Sequence, residues 1–382
     1  MIQIRHGCQK NNDQEAKRKF EVAMKSLAPL VILTALLLGL PMLGATSSGH
    51  QMSTYLEFPP HTRYVQHAPF SWLAFALLVI LALLIVAFFI RLYLPARTED
   101  GSTIYQSRFP WWGWTSGFFI LCFWALAWRR PGWFHPFQNY TFTPLWTSYV
   151  VFINAVTFRR VGSCLLTRQP RYLLALFPAS ALFWWYFEYL NRFSQNWYYL
   201  GQELFTPLTY TIHASLAFST VLPAVMSTAE LLQTHPALGR TRVQRPLVFA
   251  NRRAHAAAML TLASLGLIGV AVYPDYWYPV LWLSPLLILV SLQVLFREGN
   301  LLQKLERGEW QAIALPSLAA LVCGFFWEMW NHYSYPKWEY CIPYVQRFEI
   351  FEMPLVGYLG YLPFGLQCCA VADMVGRLSG SR

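Results

Sequence analysis

The stretch Gly324–Phe364 reads GFFWEMWNHYSYPKWEYCIPYVQRFEIFEMPLVGYLGYLPF, and its layout decides the fold. An apolar run ends around Glu328, a loop crowded with aromatic residues follows, and another apolar run opens straight after Glu352. The earlier stretch Ala181–Pro207, ALFWWYFEYLNRFSQNWYYLGQELFTP, repeats the plan. Glu188, Asn191, Trp197 and Tyr198 align with Glu328, Asn331, Trp338 and Tyr340. Two such copies between long apolar runs describe a membrane protein with two related halves.

The composition agrees. The chain has 382 residues, 56% of them hydrophobic and 12% charged, where a soluble domain carries about 25% charged residues. Its formal charge of +11 does not point to nucleic acid. The basic residues sit in the short segments between apolar runs, where they set membrane orientation, and no nucleic-acid-binding motif is present. The seven cysteines contain no CxxC and lie mostly in or beside apolar runs, so neither a disulfide framework nor a zinc site is expected.

Outward from the motifs, about ten apolar runs read as transmembrane helices, which makes the fold class all-α and polytopic. They lie near residues 27–45, 72–93, 113–128, 145–158, 173–190, 207–231, 256–272, 279–296, 312–330 and 354–375. The first follows a basic segment holding Arg5, Lys10, Lys17, Arg18, Lys19 and Lys25. Its long polar lead and poor cleavage site, Leu43-Gly44-Ala45, favour an uncleaved signal anchor over a signal peptide. With the N-terminus in the cytoplasm and alternating spans, only Arg63, Arg129, Arg130, Arg192, Lys337 and Arg347 of the 29 basic residues fall outside. That bias predicts a multi-pass protein of the cytoplasmic membrane with both termini inside and both motifs on the non-cytoplasmic face. Four spans separate the motifs, so the halves are parallel repeats, each of four helices: residues 113–240 and 250–376. Residues 1–112 add the basic segment and a helix pair. Leu145-Trp146 matches Leu281-Trp282 two spans before each motif.

Each Glu–Asn pair is three residues apart and shares a helix face. Arg192, four after Glu188, can neutralise it; His332, four after Glu328, can exchange a proton with it. An intramembrane carboxylate is costly, which makes both glutamates functional candidates unless they reach the interface or pair with a neighbour. Glu352 stands where an acidic residue favours a helix N-terminus, and it has no counterpart in Leu204-Phe205-Thr206-Pro207. If it is catalytic, one site is active. Trp184, Trp185, Trp197, Tyr198, Tyr199, Trp327, Trp330, Trp338 and Tyr340 form either an interfacial belt or a cavity whose ring faces stabilise a cation. His213 reads as a hydrogen-bonded helix residue. No haem, HExxH, nucleotide or nucleophile-elbow pattern occurs, so neither a metal nor another cofactor is expected.

These residues resemble the integral-membrane lycopene cyclases of the carotenoid pathway. That family has two related multi-span halves carrying a Trp-acid-amide element, a later Trp followed by an aromatic, and a Pro-x-Glu-Glu segment. Trp327-Glu328 is similar to the Trp-acid pair, Asn331 to the amide, Trp338 and Tyr340 to the later aromatics, and Glu352 to a carboxylate of the third segment. Glu188, Asn191, Trp197 and Tyr198 resemble the same positions in the first half. The amide here lies three residues from the acid rather than next to it, Pro354 follows Glu352, and each half has about four spans, more than the family's usual unit. The likeness covers roughly forty residues per half.

The resemblance implies an enzyme acting on an isoprenoid or similar apolar lipid by proton-initiated cyclisation, hydration or isomerisation, without redox change. Glu328 or Glu352 would be the acid, in an apolar pocket that favours its protonated form. The other carboxylate or His332 would take the proton back, and Trp327, Trp330 and Trp338 would shield the cation. A transporter, or a non-catalytic subunit scaffolding a membrane complex, are the rival classes. Substrate identity and oligomeric state are not legible.

Overall fold

The computed structural model describes residues 29–60, 62–93, 107–239 and 246–379. The basic N-terminal segment, with Cys8, and Arg97, Arg240, Arg242, Arg245 and Arg382 lie outside the described residues. Long helices stand over the expected apolar runs: α1 Pro29–Ser47, α2 Trp72–Tyr93, α3 Trp111–Arg129, α4 Phe142–Val161, α5 Pro170–Ser194, α6 Pro207–Gln233, α7 Arg252–Val272, α8 Ser284–Leu295, α9 Gln311–His332 and α10 Tyr361–Leu378. Among the described residues, seven helices are long and apolar enough to cross a membrane, or eight if Pro274–Trp282 and α8, which meet at 49°, form one broken span. The helices α3 and α4 have the length of a span but are not among these. The last span expected from Pro354 is a 3-10 turn, Leu355–Gly360, running into α10.

A membrane is the solvent this surface requires. Leu73, Leu77, Leu83 and Leu84 of α2 are all exposed, and no residue in its apolar window is buried. A helix that is apolar all round and uncovered by protein is stable in lipid, where its backbone is satisfied internally.

The core lies between α4, α5, α6, α9 and α10. Small residues let these helices approach. A Cβ on Gly365 of α10 would come 2.1 Å from the Pro316 carbonyl of α9. Two aromatic contacts brace the motif helices in the same way. Trp146 of α4 lies 5.0 Å from Trp327 of α9, and Trp282, just before α8, lies 5.2 Å from Phe187 of α5. Trp327 and Phe187 each directly precede a motif glutamate, so each contact braces a helix turn that carries a carboxyl.

The reading as purely helical needs one correction. β1 Trp197–Leu200 and β2 Lys337–Tyr340 form a two-stranded antiparallel ribbon, with Trp197 opposite Tyr340 and Tyr199 opposite Trp338. A second small pair joins β3 Glu349–Ile350 to β4 Met353–Pro354. Aromatic-rich loops suit a pleated, half-buried ribbon. Since β1 follows α5 and β2 follows α9, their pairing puts both motif ends on one face. A strap preceding α2 covers the ribbon's outer edge. Thr62 Oγ1 accepts from the Tyr199 N–H at 3.1 Å, and the His67 ring bonds Asp275 Oδ1 at 2.6 Å and the Gln195 carbonyl at 3.1 Å. The 25 residues of α5 put about 37 Å between this face and the arginine-rich one.

Candidate functional site

Each motif asparagine organises its own loop. Asn191 donates to the Trp197 carbonyl at 2.7 Å and accepts from the Asn196 N–H at 2.8 Å. Asn331 donates to the Trp338 carbonyl at 2.7 Å and accepts from the Trp338 N–H at 2.9 Å. A primary amide suits this position because it supplies donor and acceptor together. Both side chains are buried, and each one turns the chain from a helix end into the ribbon.

The glutamates sit one turn earlier, each fully buried. Glu188 Oε1 accepts from Trp184 Nε1 at 3.0 Å, Trp197 Nε1 at 3.1 Å and the Tyr199 hydroxyl at 2.6 Å. Glu328 Oε1 accepts from the hydroxyls of Tyr340 at 2.7 Å and Tyr361 at 2.5 Å, while Trp338 Nε1 donates to Tyr340 at 2.9 Å. In each carboxyl Oε2 has no partner. Neither forms an ion pair among the described residues. Arg192, expected to neutralise Glu188, donates instead to the Tyr55 carbonyl. His332, expected to exchange a proton with Glu328, bonds Glu352 at 3.1 Å.

These contacts also correct the alignment of the copies. The residue equivalent to Tyr340 is Tyr199, because alternate residues of a strand share a face. Tyr198 points away and donates to Glu339 at 2.6 Å. Where α5 has Trp184, α9 has Gly324, four residues before each glutamate. A Cβ on Gly324 would come 2.5 Å from the Tyr361 ring. The missing side chain makes room for Tyr361, which replaces an indole donor with a hydroxyl.

A cavity of about 150 Å³ lies beneath the ribbon, walled by Trp184, Trp197, Tyr199, Trp327, Trp338, Tyr340 and Tyr361 with Phe142, Phe218 and Trp282. A second, of about 270 Å³, shares Trp184, Trp197, Trp282, Tyr340 and Tyr361 with it and extends to Leu78 and Leu81 of α2. Trp197, Trp327 and Trp330 are at most 5% exposed, so they belong to the interior. The interfacial belt is supplied by others, such as the exposed Trp72, Trp111 and Trp133. Trp330 packs edge-on against Trp146 behind the cavity and does not line it. His213 does line it, stacked on Phe205.

Glu188 and Glu328 are one layer back: the tyrosines bound to them face the cavity and the carboxyls do not. Glu352 is elsewhere again. Its Oε1 lies 2.7 Å from Lys337 Nζ and 3.1 Å from His332 Nδ1, and Lys337 also reaches Glu339 at 3.0 Å. Burial works against the Lys337 charge, but Glu352 and Glu339 outweigh it and hold the ammonium above its usual pKa. Burial would raise Glu339, but the Tyr198 hydroxyl and Lys337 hold it below the usual carboxylate value. Glu352 is thus the anchor of an ion-pair cluster at the cavity mouth, where Lys337 lines the wall. It is not a second dry acid. A carboxylate needs a cation when it stays charged in a half-buried place, and Lys337 supplies it.

Sequence reasoning overlooked Tyr361, which lies 33 residues from Glu328 and carries no motif. It could have found Tyr199 from the shared Trp-x-Tyr spacing. Among the described residues, no three His, Cys, Asp or Glu side chains come together as metal ligands would. No protein-family model, curated protein or solved structure matches the chain.

Proposed function

We propose that the chain is an integral membrane enzyme that holds an isoprenoid-like lipid in the aromatic cavity and rearranges it by proton transfer. The observation that carries this reading is the pair of tyrosine hydroxyls on Glu328 Oε1. Indole N–H groups only donate, whereas a phenol both donates and accepts. Glu328 with Tyr340 and Tyr361 is therefore a path along which a proton can move between a buried carboxyl and the cavity wall. With no cation beside it and one oxygen unpartnered, the charged form of this carboxyl is costly. Glu328 holds the proton, and Tyr340 and Tyr361 pass it to a substrate double bond and return it after rearrangement. The faces of Trp327, Trp338 and Trp282 shield the cation formed between these steps. Cyclisation, hydration and isomerisation all fit, and none changes the redox state.

In this reading the halves are a duplicated unit, residues 113–240 and 250–376, within a ten-span topology. Both termini lie in the cytoplasm and the ribbon faces away from it. Glu188, Asn191, Trp197 and Tyr199 form the degenerate partner, and the lycopene cyclase resemblance supports the substrate class. Lipid and pigment extracts from cells with and without the protein test the proposal. An isoprenoid gained or lost with the protein is the expected result. Identical extracts, with the protein present in the membrane, contradict it.

One observation favours a second reading. Because neither glutamate touches the cavity, both can serve as buried pins for the ribbon of a non-catalytic scaffold. In that case Glu328→Gln leaves function intact wherever folding survives.

A further inference from the structure

Two further cavities lie at the opposite, arginine-rich face, remote from the ribbon. One, of about 430 Å³, is bordered by Lys304, Arg307, Asp373 and Arg377; the other, of about 400 Å³, runs along Leu30, Leu33, Leu289, Leu292, Phe296 and Leu378. They share Gln293, Gly299 and Arg377 as a common wall. Gln293 is 5% exposed and lines both cavities, so its amide is placed to meet a polar ligand group lying between them.

The charges around it indicate the sign of that group. Lys304 meets Asp373 and Arg377 meets Glu298, each at 3.3 Å, while Arg307 reaches Glu309 only at 3.9 Å. Three carboxylates therefore match these three cations, and the positive excess on this face is that of Arg253 and Arg297. Lysine has three donors and arginine five, so these contacts leave N–H groups free on both Lys304 and Arg377. Arg253 and Arg297, at the neighbouring cavity below α7, have no side-chain partner among the described residues. The apolar groove begins where the charges end, at the ends of α1, α8 and α10.

We propose that this pair of cavities binds one anionic phospholipid. Its phosphate sits against Arg377, Lys304 and the Gln293 amide, and one acyl chain lies in the groove between α1, α8 and α10. Charge complementarity at one end and leucines at the other fit a phospholipid and no simpler ion. Basic pockets between membrane helices select such headgroups by about 1 kcal/mol per cation.

The test is native mass spectrometry of the full chain in detergent, titrated with dioleoyl phosphatidylglycerol, dioleoyl phosphatidylcholine or inorganic phosphate. The expected result is one retained phosphatidylglycerol, preferred over phosphatidylcholine by roughly tenfold. The preference falls to about twofold or less in Lys304→Gln/Arg377→Gln, since each lost cation removes about 1 kcal/mol. Leu33→Trp, which fills the groove and leaves the cations in place, weakens both lipids together. Equal retention of the two lipids by the wild-type chain overturns the proposal, and needs no variant to fold. So does displacement of phosphatidylglycerol by millimolar phosphate, which would mark the site as one for the free anion.

Discussion

The Glu188 and Glu328 pockets share a backbone plan and differ in the donors that meet the acid. Both have a glutamate on a helix end, an asparagine three residues on, a Trp-x-Tyr strand, and a ring contact bracing the helix turn that carries the acid. In the first, Trp184 fills the space over the carboxyl and its indole donates to it. In the second, Gly324 vacates that space and the Tyr361 hydroxyl takes over. The exchange replaces an indole N–H, which only donates, with a phenol, which can donate and accept. The two motifs build two similar frames, and a side chain from α10, outside the motif, makes them unequal.

Attacking the exchange itself should have the largest effect. Trp184→Gly removes a large, partly buried ring and a donor to Glu188, and should cost about 3 kcal/mol of unfolding free energy in detergent. Gly324→Ala forces a methyl group against the Tyr361 ring and should cost about 2 kcal/mol while lowering activity, because Tyr361 is pushed off Glu328. A harmless Gly324→Ala would mean that the space above Glu328 is not filled as described.

The shared frame gives the next prediction. Asn191→Ala and Asn331→Ala each strand buried backbone groups, and should each cost about 2 kcal/mol. Equal losses by thermal unfolding support two equivalent loops, whereas a large loss at one site and none at the other would break the equivalence. Smaller in stability, but sharper for chemistry, is Tyr361→Phe. It removes one hydroxyl, should cost about 1 kcal/mol, and should abolish most turnover. Tyr198→Phe, on the far face of the strand, should leave turnover unchanged.

The least perturbing change acts from outside, on the strap over the ribbon. Burial works against protonation of His67, but Cys341, the Gln195 carbonyl and Asp275 outweigh it and raise its pKa from 6.5 to about 9. A group raised in the folded state stabilises fully below its unfolded pKa. That contribution is lost as pH climbs from about 6.5 through about 9. The melting temperature of the wild type should exceed that of His67→Ala at pH 6, and the gap should narrow by pH 10. A constant gap across that range would show that folding does not shift the His67 pKa.

Much of this comparison was legible in the chain. The three-residue Glu–Asn spacing follows from helix geometry, and the matched Leu-Trp pairs located the rings that brace each acid. The apolar runs placed the helices because a segment in lipid must satisfy its own backbone. What stayed hidden depended on strand pairing and on distance along the chain. Aligning Tyr198 with Tyr340 follows likeness of neighbours, but a strand alternates its faces, and only the ribbon register identifies Tyr199. Glu352 read as an apolar acid because nothing in its local sequence reveals that Lys337, fifteen residues earlier, folds onto it. Tyr361 reaches Glu328 only through the packing of α10 on α9, which is a tertiary fact.

The central claim is that the second pocket carries the chemistry and the first supports it. Its most direct test compares isoprenoid extracts from cells producing, at equal membrane levels, the wild-type chain, Glu188→Gln or Glu328→Gln. The account predicts that the wild type and Glu188→Gln give the same altered profile, while Glu328→Gln matches cells lacking the protein. A Glu328→Gln chain that still yields the wild-type profile would contradict it.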